Sequence, residues 1–370
     1  MKKIHFNLNT SANIHTGMGV YSNEIMKRIV MNNEYLYEGG VNFNIKNKKN
    51  LNMFLFPIHI SIFPYRWVFK KKINGISYNH VMRSKADCFI FWANTMPKCK
   101  IKGKVITVVH DVRPLYFEKE NPLKASVFRN NVQEVVDRSD CIVTVSQNAK
   151  AEIVKYFHCD ESKIEVVFNG VNINKFRTTV DAERIKHVQK KYNLPSQYIL
   201  YFGGTMKHKN IINMLEAYSL LPLEIKQQHK FVIANSADYI IQRIEDLNLK
   251  DFVILLNGVE EEDKAVVYKL ASLKLFVSKY EGFGIPVIEA MAAGTPVITS
   301  NVSSLPEVAG GAAVLVNPDN PQDIRDAIIR ILSEPEFRTK LIEKGYENIK
   351  KYTWDKSAEQ FIQIIRKLIG

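Results

Sequence analysis

The sequence predicts an α/β protein made of two doubly wound, Rossmann-like domains in tandem. Three observations carry this. At 370 residues the chain is longer than one hydrophobic core ordinarily fills and fits two domains of common size. Two series of short apolar runs recur along it, each ending in polar or glycine-rich residues, as buried parallel strands do. Glycine turns near Gly17, Gly203 and Gly282 each stand between a strand-like and a helix-like run. Open parallel sheets bind ligands at such junctions.

Taken in order, Ile4 to Leu8 reads as an opening strand that runs into Thr16, Gly17, Met18 and Gly19. A helix follows, with Val20, Ile25, Ile29 and Val30 at roughly helical spacing. Gly17 and Gly19 at this position can cradle a phosphate, although turn glycines are common there and the pair decides nothing alone. Asn and Lys dominate from Asn42 to Asn52, then Met53 to Phe69 is strongly apolar and aromatic and ends in Lys70, Lys71 and Lys72. Pro57 and Pro64 exclude one continuous helix over that stretch. Arg66, Trp67 and Phe69 beside the lysines suit a membrane interface, while a core-facing helix with a polar end is the plainer account.

Asp87 to Trp92, Lys104 to Val109 and Asp140 to Val145 read as buried parallel strands. Their C-terminal ends carry His110 with Asp111, and Ser146, near a shared crevice. For His110 the residues alone leave a structural and a functional role open. Lys163 to Phe168 is a further strand, and Asn169, Gly170, Val171 and Asn172 have turn chemistry. The charged segment Thr178 to Lys191 is expected to be a linker and entry helix, dividing the chain into domains 1–180 and 181–352. A second strand series runs through Tyr198–Phe202, Phe231–Ala234, Phe252–Leu256, Leu273–Val277, Pro296–Thr299 and Ala313–Val316. After its first member come Gly203, Gly204, Lys207, His208 and Lys209, a glycine turn with lysines suited to a phosphate. Glu260 to Asp263 reads as acidic residues favoured at a helix start. Trp354 to Ile369 is an amphipathic helix with Ala358, Phe361, Ile362, Ile365 and Leu368 on one side.

The richest stretch is Ser278 to Ser300, where Glu281 and Glu289 flank a glycine turn. Leu273, Leu275, Phe276 and Val277 form the strand before it, and Pro286 is expected to open a helix, where its missing N–H costs nothing. Amides around Gly282, Phe283, Gly284 and Ile285 can approach an anion because the glycines carry no Cβ and the helix end is a positive dipole. Glu289, expected in the first helical turn, suits paired sugar hydroxyls better than phosphate. A ligand with both phosphate and polyol, a nucleotide sugar, fits this combination.

Composition narrows the class further. Hydrophobic residues at 46% and charged residues at 24% argue for a globular chain. No apolar run reaches transmembrane length, and the polar N-terminus is unlike a secretory signal, so a cytoplasmic protein is expected. Cys88, Cys99, Cys141 and Cys159 are too few and too irregular for a disulfide scaffold or zinc ribbon. The net charge of +13 resides in residues 1–180, which hold 27 Lys+Arg against 14 Asp+Glu, while the remainder holds 24 of each. A basic half facing an anionic membrane surface and a simple Lys/Asn/Ile-rich composition both account for this. Nucleic acid is not expected as a partner, since no recognisable binding module is present.

With these motifs placed, the chain resembles the retaining, metal-independent glycosyltransferases of family 4, which have the GT-B fold. The resemblance covers almost the whole chain and is most specific from Glu281 to Val297, where the spacing of the two glutamates looks like the family's paired-glutamate signature. Thr16 to Tyr21, His110, Ser146, Asn169 to Asn172 and the Trp354 helix are similar to further family features. The resemblance implies two domains facing across a cleft, an acceptor-binding domain over 1–180 completed by a helix over 353–370, and a donor-binding domain over 181–352. It implies that Glu289 holds the nucleotide's ribose, that Glu281 and His110 face the donor sugar, and that Lys209 neutralises the pyrophosphate. Gly17, Gly19, Gly203, Gly204, His208, Gly282, Phe283, Gly284 and Ile285 would complete the donor cradle. Where many members have arginine this chain has Gly204, and the similar subgroup often has arginine at His208.

The nearest subgroup is that of bacterial mannosyltransferase-like enzymes of polysaccharide and O-antigen assembly. The expected activity is transfer of a hexose, mannose-like, from a GDP- or UDP-hexose to a saccharide or lipid-linked acceptor. No metal and no cofactor beyond the nucleotide-sugar substrate is expected, and peripheral association with the inner membrane face accompanies the basic first half. Two alternatives belong beside this: a glycoside hydrolase using the two carboxylates, which the glycine turn and tandem sheets disfavour, and a non-catalytic nucleotide-sugar-binding scaffold of a glycan-synthesis complex.

Overall fold

The computed structural model describes residues 1–8, 16–32, 34–40 and 84–370, and its strands gather into two six-stranded parallel sheets. In the first, β1 (Lys3–Asn7), β2 (Leu36–Gly40), β3 (Cys88–Phe91), β4 (Lys104–Val108), β5 (Cys141–Thr144) and β6 (Ile164–Val166) take the order β2-β1-β3-β4-β5-β6. Strands β3 to β6 fall within the apolar runs the sequence marks, β1 begins one residue ahead of its run, and β2 lies outside them. The four side chains of β3 are buried, as a parallel strand covered on both faces requires. The helix Gly17–Met31 buries Tyr21, Ile25, Ile29 and Val30, and Thr16 caps it by accepting the Gly19 N–H at 3.1 Å. None of the four cysteines forms a disulfide; Cys88, Cys141 and Cys159 are buried, and burial pushes the Cys88 and Cys141 thiols up to about 12. The apolar stretch from Met53 to Phe69 and its membrane-interface reading lie outside the described residues.

The second sheet contains β7 (Tyr198–Phe202), β8 (Lys230–Ala234), β9 (Val253–Leu256), β10 (Leu273–Phe276), β11 (Val297–Ser300) and β12 (Val314–Val316). Their order is β12-β11-β10-β7-β8-β9. Strands β7 and β10 are therefore neighbours although β8 and β9 intervene in sequence. The winding reverses between them, which is the topological switch point where open α/β sheets bind ligands.

Two compact units result, one from residues 1–144, 153–167 and 358–370, the other from 145–152 and 168–357. The chain thus enters the second unit at Phe168, ahead of the expected 180/181 boundary. Ring packing explains the difference: Phe168 lies 6.1 Å from Phe283 and 5.4 Å from Tyr352, and Phe176 meets Tyr268 edge-on at 5.7 Å. The expected linker is a helix, Ala182–Tyr192, capped by Asp181. The helix Trp354–Ile369 rejoins the first unit from Ala358 onward. There Phe361 packs 5.3 Å from Trp92, and Arg366 forks onto Glu34 at 2.7 and 2.6 Å.

Two local expectations change. Residues 167–172 run without a turn, and Gly170 is needed for close approach, since a Cβ there would lie 2.4 Å from the Trp354 backbone nitrogen. Gly170→Ala is therefore expected to destabilise the protein by about 1–3 kcal/mol, because backbone must move. An unchanged urea midpoint would refute the close approach. Of the acids before the helix Lys264–Leu270, Asp263 is fully buried and makes no cap. It accepts instead from Arg184, from Lys191 at 2.8 Å and from Tyr192 at 2.8 Å, tying that helix start to Ala182–Tyr192.

Candidate functional site

The loops that leave β7 and β10 at the switch point bring together most of the site residues expected in the second unit. After β7, Gly203 is constrained from below: a Cβ would meet the Tyr201 hydroxyl at 2.8 Å. Gly204 has open space around it and no steric need to be glycine. Lys207–Lys209 forms one 3-10 turn, and Asn210 follows in the left-handed conformation at φ 61°. The Asn210 side chain donates to the Val277 carbonyl at 3.0 Å and the Pro318 carbonyl at 2.7 Å, so the end of this loop is pinned to the end of β10. His208 is buried, with its carbonyl taking the Lys279 N–H at 2.8 Å.

After β10, serine hydroxyls hold three successive carbonyls. Ser303 and Ser304 donate to Glu281 O at 2.6 and 2.9 Å, Ser146 to Gly282 O at 2.8 Å, and Ser304 also to Phe283 O at 2.7 Å. In a trans peptide the N–H of the next residue points the opposite way from the carbonyl. The N–H groups of Gly282, Phe283 and Gly284 therefore turn away from the serines. Phe283 contributes backbone only, since its ring is buried against Phe168 and Tyr352. Gly284 has φ 121°, a conformation that side chains rarely take, and a Cβ would come within 2.8 Å of Leu305. The helix then runs Ile285–Ala293, with Pro286 second, and Glu289 stands in its second turn, one turn further in than expected.

Each glutamate is paired with its own lysine. Lys209 Nζ donates to both Glu281 oxygens at 2.7 and 2.9 Å, and these side chains are 14% and 12% exposed. Lys264 Nζ donates to Glu289 Oε1 at 2.6 Å, and the Tyr268 hydroxyl to Oε2 at 3.1 Å. A carboxylate has about four lone-pair sites, so Glu289 retains acceptor capacity for a further pair of hydroxyls. Burial, then the nearby Glu289 charge, raises the Tyr268 hydroxyl well above its ordinary range, so it remains a donor.

Gly17, Gly19 and His110 belong to the first unit. Gly17 is the first helical residue and exposed, whereas the Gly19 N–H is already taken by Thr16, which removes it from a phosphate cradle. His110 is half-buried, lies edge-on to Tyr21 at 5.1 Å, and keeps a buried Nε2 without a partner among the described residues. Burial pushes its pKa down to about 4, so its ring is neutral near pH 7. The unfolded chain binds this proton near pH 6.5 and the folded protein only near 4, so stability should fall as pH drops through that window and level off below it. His110→Gln is expected to flatten this part of the Tm–pH curve. An unaltered slope would show that His110 titrates normally.

Sequence reasoning missed Lys264, Tyr268, Ser303 and Ser304. The signal for the first two was their i, i+4 spacing, which puts both on one helix face. The serines carried no local signal, since their place at the site follows from the pairing of β11 with β10.

Residues 183–348 match the glycosyl transferases group 1 family and residues 36–175 match glycosyltransferase family 4. The serotype-specific mannosyltransferase WbdA of Escherichia coli is 30% identical over 74% of this chain, an alignment that spans 35% of that longer protein. The O-antigen chain mannosyltransferase RfbU of Salmonella typhimurium is 31% identical over 70% of both chains. Among solved structures, sucrose-phosphate synthase from Thermosynechococcus elongatus superposes with a TM-score of 0.77 at 17% identity, covering 100% of this chain and 99% of its own. Anabaena HepE, in complex with UDP and glucose, gives 0.72 at 15% identity with 100% of both chains covered. The chain belongs to the family 4 glycosyltransferases and has their two-domain α/β GT-B fold.

Proposed function

We propose that this glycosyltransferase is a retaining, metal-independent mannosyltransferase of surface-polysaccharide assembly, using a nucleotide-activated mannose and a saccharide or lipid-linked acceptor. The observation that carries the reading is the pair of lysine-bound glutamates beside outward-turned amides at one switch point. The names of WbdA and RfbU supply the sugar and the setting. In the proposed reaction the bond between hexose C1 and the phosphate oxygen breaks, and the acceptor oxygen bonds to C1 on the same face. The acceptor's proton passes to the departing phosphate, giving a nucleoside diphosphate and the glycosylated acceptor. Negative charge grows on the leaving group during this step, so Lys209 and the Gly282–Gly284 amides stabilise the transition state more than the bound donor. Glu289 holds the ribose hydroxyls and Glu281 orients the hexose.

Lys2, Lys85, Lys100, Lys102 and Lys104 line one groove of the first unit, together with Asp87 and Asp140, and this supports docking at an anionic membrane face.

The test is release of GDP from GDP-mannose, with UDP-hexoses in parallel, with and without a mannose-terminated oligosaccharide, in EDTA. Acceptor-dependent release with an α-linked product is expected. Equal release without acceptor would indicate a hydrolase, and binding without transfer would leave only a scaffold.

A further inference from the structure

Strand β10 brings a third amine to the site, and the proposed reaction does not use it. Leu273, Lys274, Leu275 and Phe276 are all fully buried, and Lys274 pairs with Leu200 of β7 on one side and Val297 of β11 on the other. An ammonium buried in such a strand is costly unless a carboxylate is held against it. Both glutamates of the site are engaged elsewhere, Glu281 with Lys209 and Glu289 with Lys264 and Tyr268. Lys274 Nζ donates instead to the Phe202 carbonyl, at 2.9 Å.

Its surroundings suit either protonation state. Apolar strand neighbours accept a neutral amine, whereas ring faces can hold an ammonium, and Nζ lies 5.0, 5.4, 5.7 and 5.7 Å from the ring centroids of Tyr268, Tyr201, Phe202 and Phe276. The polar groups around it come from every neighbouring element. Tyr201 stands on β7, Tyr268 and Lys264 on the helix Lys264–Leu270, Glu289 on the helix Ile285–Ala293, Lys209 in the 3-10 turn after β7, and Glu281 in the loop after β10. Burial raises both tyrosine hydroxyls well above their ordinary range, so neither carries charge. Lys209 and Lys264 share rings with the buried amine, Lys209 at 5.6 Å from Phe276 and Lys264 at 5.3 Å from Phe202. Each has its own glutamate, so neither carboxylate is left to match a third cation. Burial drives the Lys274 amine well below its ordinary range, Glu289 opposes that shift, and Lys264 and Lys209 add to it.

We propose that Lys274 is the proton acceptor of the donor site: its amine is neutral before a nucleotide sugar binds, and it takes a proton from solvent when the donor's diphosphate arrives beside Lys209. This rests on the nucleotide-sugar reading and adds a linkage to it, since donor binding and protonation then favour one another by the same factor. The diphosphate brings negative charge next to the lysines that oppose a third cation, and water screens little of it in so buried a place. The ammonium formed keeps its bond to the Phe202 carbonyl, now charge-assisted, and gains the attraction of the ring faces. Lys274 touches no substrate. It supplies a cation only when an anion is there to match it, so donor affinity falls as pH rises, by up to about tenfold per pH unit for a single proton.

The experiment titrates GDP-mannose, with UDP-glucose in parallel, into wild type, Lys274→Met and Lys274→Gln at about pH 7.5 and about pH 8.5, in buffers of different ionisation enthalpy. No acceptor is added, and the diphosphate of either donor has no proton to exchange in this range. The change of calorimetric heat with buffer counts the protons taken up. Wild type should take up about one proton per donor bound and bind more weakly at the higher pH. Both variants should take up none and bind equally at the two. Glutamine keeps a neutral donor for Phe202, so a lysine needed only for that bond would leave Lys274→Gln and wild type alike, which overturns the proposal. Binding by wild type without proton uptake also overturns it and leaves the nucleotide-sugar reading standing. If neither donor binds wild type, that reading falls and the proposal falls with it. Should neither variant fold, wild type at the higher pH decides, because histidines and carboxylates are deprotonated there and uptake requires an amine. Uptake then supports Lys274, and its absence overturns the proposal.

Discussion

Lys209→Ala is expected to lower kcat about 100-fold or more at saturating donor, the scale seen when one preorganised charge or donor facing a developing anion is removed. The lysine is well placed for that role, being only 14% exposed and joined through both oxygens to Glu281. In such a site its charge is less screened than on the surface. It is also held in one orientation before donor arrives, so little reorganisation accompanies the reaction. The alanine variant has a second consequence, because Glu281 would keep its charge and lose its partner. A cycle of Lys209→Met, Glu281→Gln and the double variant separates the two contributions. If the pair works as a unit, the double variant should be no slower than the slower single one. Multiplying losses would mean that lysine and glutamate act independently, and turnover unchanged in Lys209→Ala would remove the lysine from the mechanism.

The parts of the molecule legible beforehand are those where local pattern and final environment coincide. Strand runs such as Tyr198–Phe202 are apolar throughout because they are buried on both faces, so composition located them. The positions of Lys209 and Glu281 after strand ends were legible because strand and glycine turn fix where the backbone sits, whereas the pairing of Lys209 with Glu281 and of Lys264 with Glu289 was not. Strand β2 escaped because Leu36 is half exposed and the run ends in two glycines, which weaken any strand signal. The crossing at Phe168 was invisible because it depends on rings of Phe283 and Tyr352, far along the chain. The partners of the site had the same difficulty. Nothing local distinguishes Ser303 from any loop serine, yet it sits at φ 58° and bonds to Glu281 through both its hydroxyl and that residue's N–H. Lys274 interrupts an apolar run, and a strand reading passes over such an interruption unless it asks what a buried amine would bond to.

Glu289 is where structural and functional roles can be pulled apart by expected numbers. Glu289→Gln should weaken nucleotide-donor affinity about 10- to 100-fold, since hydroxyls lose a charged acceptor. The same change should cost roughly 1–3 kcal/mol of stability, because Lys264 is then left in a mostly buried position without its counter-charge. That is less than the loss for a fully buried pair, since both side chains retain some contact with water. Adding Lys264→Met removes the stranded charge, and the double variant should regain most of the stability, with Tyr268 still able to donate to the amide oxygen. Donor affinity should stay low in the double variant, because the missing acceptor has not been replaced. Urea unfolding and a donor titration on the three proteins give both quantities. Recovery of affinity alongside stability would mean that Glu289 serves only to neutralise Lys264, and the ribose contact would have to be sought elsewhere. Persistent loss of affinity in a restored fold would leave the carboxylate itself as the group the nucleotide needs, with Lys264 and Tyr268 as the side chains that hold it in place.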